Sequence, residues 1–155
     1  MALALLSKGH EVRGLTRSKK SANELDSLGI IPVLGELDNL DILKSEAFRA
    51  DAVINTASAD HLDAVLALLD GLTSNHQKFI HTSGSSIIGD DARGNQLSSS
   101  IFKDDTPLRV DVRKQARRNI DLKVLEAASK GIQTCVIIPS LIYGYGLGIH
   151  KNSIQ

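Results

Sequence analysis

The chain has 155 residues, 42% of them hydrophobic, with 18 basic and 18 acidic side chains that cancel to a formal net charge of +0. That length supports one substantial core rather than two, and the balanced charge leaves no field to draw in nucleic acid or an anionic membrane. The one cysteine, Cys135, excludes an intrachain disulfide framework and, within the apolar run 134–139, is expected as a buried core thiol.

Met1 to Leu6 has the apolar character of a signal-peptide core but lacks a basic leader and a cleavage site, and Ser7-Lys8-Gly9 interrupts it. No other stretch is long enough to span a bilayer, so the expectation is a soluble, cytoplasmic protein. In chain order, the pattern predicts a helix end over Ala2–Lys8 stopped by Gly9, then a strand over Glu11–Thr16. Ser21-Ala-Asn-Glu24 has the spacing of a capping box for a short helix ending near Gly29. A strand follows over Ile31–Leu34, then a helix over Leu40–Phe48 entered through Asp38-Asn39, and a central buried strand over Ala52–Ala57. Asp60 is the expected cap of a helix carrying Leu62, Val65, Leu66, Leu68 and Leu69, ahead of a strand over Lys78–Thr82. Gly84 to Val110 reads as a long loop. Asp111 then caps a helix closed near Lys130 by Gly131, and Thr134–Ile138 is the last clear strand, with no element expected after Gly148. Short strands without polar alternation, separated by helices, describe βαβ units and a parallel sheet covered on both faces.

Four phrases carry a family resemblance: Lys8-Gly-His-Glu-Val-Arg-Gly-Leu-Thr-Arg17, Ala50-Asp-Ala-Val-Ile-Asn-Thr-Ala57, Phe79-Ile-His-Thr-Ser-Gly84 and Val136-Ile-Ile-Pro-Ser-Leu-Ile-Tyr-Gly144. In this order and spacing they resemble the NAD-dependent epimerase/dehydratase and NmrA-like branches of the extended and atypical short-chain dehydrogenase/reductases. The resemblance implies an α/β fold, a Rossmann-type doubly wound parallel sheet. It also implies incompleteness at both ends. The family's glycine-loop strand would precede Met1 and stand between the strands at Glu11–Thr16 and Ala52–Ala57, and its substrate portion would follow the C-terminus. Residues 1–148 would form a partial NAD(P)-binding domain, with 149–155 a tail.

In such a fold the dinucleotide crosses the carboxyl ends of the strands. The resemblance assigns Arg17 and Ser18 to the position that separates NAD from NADP, where a guanidinium can pair with the 2′-phosphate; NADP is therefore favoured over NAD. It assigns Glu36 and Leu37 to the adenine edge, and Thr56, Ala57 and Ser58 to the turn passing the ribose and pyrophosphate. Thr82, Pro139 and Ser140 complete the cofactor-facing set. The run Gly144-Tyr-Gly-Leu-Gly148 leads into no predicted helix and reads as a loop rather than a dinucleotide fingerprint.

Active family members pair a strand-end serine with Tyr-x-x-x-Lys on the long helix, the lysine lowering the tyrosine pKa and the serine polarising a carbonyl. Here Arg113 falls at the tyrosine position, Arg117 at the lysine position, Asp121 at the usual acidic position and Gly84 at the serine position. Arginine keeps its proton at any working pH, so Arg113 cannot serve as the acid. The remaining catalytic candidates are Ser83 and Ser85, which flank Gly84, together with Arg117 and Tyr143. The five histidines, His10, His61, His76, His81 and His150, show no ligand spacing, and no metal site is expected.

Two functional readings follow. One is the NAD(P)-binding domain of an oxidoreductase- or epimerase-like protein acting on a small carbonyl or sugar-nucleotide substrate. The other is a non-catalytic, NmrA-like dinucleotide sensor, or a truncated inactive paralogue. The expected partners are a dinucleotide and a small-molecule substrate, with a homo-oligomer allowed and neither nucleic acid nor membrane among them.

Overall fold

The computed structural model describes residues 1–73, 76–89, 95–140 and 142, and the backbone of 143–145 and 152–154. Helix α1 (Ala2–Leu6) leads through Gly9, at φ +83°, to β1 (Arg13–Thr16), α2 (Lys19–Ser27) and β2 (Ile31–Leu34). Next come α3 (Leu40–Arg49), β3 (Ala52–Asn55), α4 (Leu62–Gly71) and β4 (Lys78–Thr82). After 3₁₀ turns at Ser85–Ile88 and Val112–Lys114 the chain forms α5 (Gln115–Glu126), a further 3₁₀ turn at Ala127–Lys130, and β5 (Gln133–Ile137).

Strands β1 and β2 pair in parallel, Arg13 opposite Ile31 and Thr16 opposite Leu34. A second parallel ladder has the order β3-β4-β5, with Ala52 opposite Lys78 and Phe79 opposite Thr134. The two ladders share no strand pairing, so one edge of β1 and one of β3 stand unpaired among the described residues. These are the two edges the resemblance leaves open. Parallel strands joined by helices return the chain to the same end at each step, so within each ladder the turns that follow the strands share one rim.

The core lies under one face of β4. Phe79 is fully buried against Val65 and Leu69 of α4 and Ile120 and Val124 of α5, with Leu72, Ala127 and Ile132 closing the cluster. Helices α3 and α4 meet through small residues, Ala47, Ala64 and Ala67. Their approach is closest at Gly71, where an added Cβ would stand 2.3 Å from the Lys44 carbonyl oxygen and 2.7 Å from Ala47 Cβ. Behind this packing the buried Gln77 side chain gathers loose backbone ends: its Nε2 donates to the carbonyls of Ala47 (3.2 Å), Phe48 (3.3 Å) and Ala50 (2.8 Å), while its Oε1 accepts the Thr73 N–H (2.8 Å). Those carbonyls end α3, where a helix runs out of backbone donors; only the Ala47 carbonyl has one, the Ala50 N–H at 3.2 Å.

Several expectations need correction. The cap of α2 is Ser18, whose Oγ accepts the Ser21 N–H at 3.1 Å, so the helix begins before the Ser21–Glu24 box. His61 caps α4 through Nδ1, which accepts the Ala64 N–H at 3.2 Å, because Asp60 turns away to an arginine. Strand β3 is an edge and β4 the central strand of its ladder. Cys135 is exposed rather than buried: β5 alternates, with Thr134 and Val136 toward the helices, while Gln133, Cys135 and Ile137 lie on the uncovered side. An apolar run does not reveal that an edge strand is covered on one face only. Beyond β5 the chain is not elementless, since β6 (Tyr143–Tyr145) and β7 (Asn152–Ile154) pair antiparallel, and Gly144 lies in that pairing rather than in a loop. Gly131, at φ +88°, ends the α5 segment as expected.

Candidate active site

The candidate residues collect where the strands end. Arg17 follows β1, is exposed and has no hydrogen-bond or ion-pair partner among the described residues. Ser18 beside it is occupied in capping α2. After β2, the Glu36 N–H donates to Asn39 Oδ1 at 2.7 Å, which leaves the Glu36 carboxylate exposed, while Leu37 packs on Leu43, Ala64 and Ala67. After β3, Thr56 and Ala57 are exposed and Ser58 is half-buried; the Ala57 N–H donates to Asn55 Oδ1 at 3.2 Å, and Ser58 Oγ accepts the Asp60 N–H at 3.2 Å.

The ends of the two ladders are tied together. His61 Nδ1 accepts from α4, so Nε2 carries the ring proton, and it donates to Asp38 Oδ1 at 3.1 Å across the turns that follow β2 and β3. Asp38, Ser58, Asp60, His61, Leu62 and Asp63 line an open cleft there of about 420 Å³. No group of three or more His, Cys, Asp or Glu among the described residues is arranged to hold a metal ion.

Beyond β4 the catalytic candidates take distinct roles. Thr82 ends the strand half-buried. Ser83 is 6% exposed and its Oγ donates inward to Asp121 Oδ2 at 3.0 Å. Gly84 is bare backbone beneath Arg117, and Ser85 starts the 3₁₀ turn that buried Ile87 anchors. Arg117 donates from Nε to Asp60 Oδ1 (2.8 Å), from Nη2 to Asp60 Oδ2 (2.5 Å) and from Nη1 to Ser86 Oγ (2.9 Å). This bidentate pair joins α5 to the turns after β3 and β4 and holds the Asp60 carboxyl below its usual range. Arg113 is paired instead with Asp111, whose carboxyl its guanidinium pulls down to about 2. Pro139 is half-buried and Ser140 exposed after β5. Tyr143 lies on β6, where its side chain is outside the described residues.

Sequence reasoning gave Asp121 the family's acidic position but missed its buried partner His81 below this rim. Asp121 and His81 are both 0% exposed, with Asp121 Oδ1 3.8 Å from His81 Nε2. Burial pushes His81 down and Asp121 up, in each case against the charged form. A histidine two residues after Phe79 in a strand, on the same face, is the signal that could have located the pair.

Parallel strands in two ladders, with a helix between each strand and the next from β1 to β5, decide the architecture. The fold is Rossmann-type. Solved structures agree: the chain superposes on a UDP-glucose 4-epimerase with a TM-score of 0.68 at 13% identity, covering 94% of this chain and 48% of that one. On a nucleoside-diphosphate-sugar epimerase from Pseudomonas aeruginosa the TM-score is 0.62 at 19% identity, covering 92% and 48%. No family model matches the chain. Among curated relatives it is 34% identical to the oxidase ucsJ of an Acremonium species, over 96% of this chain and 47% of that protein. It is 28% identical to an uncharacterized protein of Schizosaccharomyces pombe (92% and 49%). With the 4-hydroxy-2-methyl-3-oxo-4-farnesyl-3,4-dihydroquinoline-1-oxide ketoreductase of Stigmatella aurantiaca the identity is 25% (91% and 46%). The Rossmann-type chain thus spans about half the length of the relatives it matches. Among its described residues no helix is long and apolar enough to cross a membrane.

Proposed function

We propose that the chain is an NAD(P)-binding domain of an oxidoreductase- or epimerase-like protein whose substrate is a small carbonyl compound or a sugar nucleotide. The observation that carries this reading is the rim itself: the turns after β2 and β3 are joined by Asp38 and His61 at 3.1 Å beside an open cleft, at the strand ends where a dinucleotide crosses such a sheet. Glu36 and Leu37 would border the adenine, Thr56, Ala57 and Ser58 the ribose and pyrophosphate, and Thr82, Pro139 and Ser140 the far side. NADP is favoured over NAD because Arg17, exposed and without a partner among the described residues, has its guanidinium available for a 2′-phosphate. The chain would work as a water-soluble cytoplasmic protein. Isothermal titration with NADP and NAD tests the reading. The expected outcome is tighter binding of NADP, with the preference abolished in Arg17→Glu; equal affinities before and after that change would remove Arg17 from the site.

A second reading, a dinucleotide sensor without turnover, is favoured by the state of α5. Arg113 is held by Asp111 and Arg117 by Asp60 and Ser86, and neither guanidinium can exchange a proton with a substrate at working pH. The sensor predicts no NADPH oxidation above background with aldehydes, ketones or sugar nucleotides. Turnover that vanishes in Tyr143→Phe would instead identify Tyr143 as the acid.

A further inference from the structure

A chain of buried polar side chains runs beneath the rim from β3 through β4 to α5. Asn55, 7% exposed, has its amide orientation fixed by its neighbours: Oδ1 accepts the Ala57 N–H at 3.2 Å, so Nδ2 is the donor that reaches the Ser58 carbonyl at 3.4 Å and His81 Nδ1 at 3.1 Å. His81 Nδ1 is therefore an acceptor, and the proton of the neutral ring sits on Nε2. That nitrogen faces Asp121 Oδ1 at 3.8 Å, longer than a hydrogen bond, and neither atom has a hydrogen-bond partner among the described residues. The second Asp121 oxygen accepts from Ser83, and Phe79 stacks on the His81 ring with centroids 6.2 Å apart and planes 11° from parallel.

Buried polar atoms are almost always satisfied, and two left over on buried side chains that face each other at 3.8 Å point to each other as partners. Every other polar atom of these four side chains already has its contact. Closing the gap between His81 and Asp121 would make a relay that joins the Ala57–Ser58 turn at one end to Ser83 at the other, both on the rim where the candidate cofactor residues lie.

We propose that His81 and Asp121 are positioning residues, a buried Nε2–H to carboxylate pair that makes the turn after β3 and the hydroxyl of Ser83 a single mechanical unit. The coupling stands on the geometry; only its purpose, to present both turns together to a dinucleotide and substrate, rests on the function proposed above. The charged groups that bear on the pair are Arg117 and Arg118, both on α5 with Asp121; β3 contributes the neutral Asn55 and the turn after β4 the neutral Ser83.

The decisive experiment is amide hydrogen exchange on the full chain, comparing wild type, Asp121→Leu and Asp121→Asn. The asparagine variant would still offer an oxygen to His81 and an amide to Ser83, whereas the leucine variant offers neither. The Ala57 amide, which Asp121 does not touch, should exchange at least about tenfold faster in Asp121→Leu and within about twofold of wild type in Asp121→Asn, with the Ile80 amide of β4 unchanged in both. Unchanged exchange at Ala57 in Asp121→Leu overturns the coupling. Ring nitrogen shifts of His81 in the wild-type chain give an answer even if Asp121→Leu does not fold: Nε2 protonated and Nδ1 bare from pH 5.5 to 8 supports the relay, and the opposite tautomer overturns it. Titration with NADP forms a separate arm, with affinity about tenfold weaker in Asp121→Leu and restored in Asp121→Asn. Coupled exchange in a chain that binds no dinucleotide would support the relay and overturn the proposed function.

Discussion

Gly84 and Arg117 occupy one volume: a Cβ built on Gly84 would lie 2.7 Å from Arg117 Nη1. A side chain at position 84 and the guanidinium clamp on Asp60 and Ser86 therefore exclude each other. Gly84→Ala should swing Arg117 off Asp60, and Arg117→Met should make the alanine harmless. The clamp is half open to water, so each single change should cost under about 1 kcal/mol, but the pair should be non-additive in a double-mutant cycle. The sharper readout is the titration of Asp60. Arg117 holds its carboxyl below the ordinary 3.8, so the clamp's stabilisation is present above that value and lost as pH falls through the lowered one. In either single variant Asp60 should titrate as an ordinary carboxylate, and an unmoved Asp60 would mean Arg117 does not depend on the empty space at Gly84.

Replacement of Gly71 by alanine should be costlier, because the atom in the way is the Lys44 carbonyl, which cannot rotate aside as a side chain can. Overpacking of this kind costs about 1–3 kcal/mol. The urea midpoint should fall with an unchanged denaturant slope; an unshifted midpoint would show that α3 and α4 can part without loss.

At Gln77, a change to leucine preserves bulk but strands the carbonyls of Phe48 and Ala50 and the Thr73 N–H, and leaves the Ala47 carbonyl with the Ala50 N–H alone. Unsatisfied buried groups cost about 1–3 kcal/mol each, so Gln77→Leu should lower the thermal midpoint by more than Gly71→Ala does. A smaller loss would show that water replaces the amide.

His81 and Asp121 should leave opposite marks on the pH dependence of stability. Burial holds His81 below its ordinary 6.5, so the unfolded chain takes up a proton that the folded one refuses, and stability falls as pH drops below that value. Asp121, pushed up by burial, acts the other way and regains stability as pH falls through its raised value. His81→Phe deletes the first effect and keeps the second. Relative to wild type, its melting temperature should rise steadily from pH 7.5 to pH 5; parallel curves would show that His81 is not buried as a neutral ring.

The order of elements was legible because apolar runs and glycine stops are local signals, as Gly9 and Gly131 illustrate with φ of +83° and +88°. The caps were not. Ser18 and Ser21, or Asp60 and His61, offer rival oxygens and nitrogens within a few residues, and the choice between them depends on a partner far along the chain, Arg117 in the case of Asp60. Cys135 was misjudged because hydrophobicity does not say which side of an edge strand a helix covers. Arg17, Glu36 and Thr56 fell on the rim as their places after β1, β2 and β3 required. By contrast, the partnership of His81 with Asp121 joins residues far apart in sequence and needs the packing of α5 on β4 to exist.

The division of the strands into two ladders also divides the chain's resistance to heat. From Ala2 to Leu34 only Ala22 and Ile30 are buried apolar residues, whereas the Phe79 cluster draws all its members from position 47 onward. The first ladder is fastened to the rest by side-chain ties such as Arg13 to Glu46, at 2.6 Å, instead of by strand pairing. Arg17 thus stands on the part of the molecule with the least to lose on opening, while Ser83 and its buried support stand on the part with the most. On the reading that Arg17 selects for a 2′-phosphate, warming should erase that selection before it erases the fold, leaving a domain that still looks intact to a probe of the core.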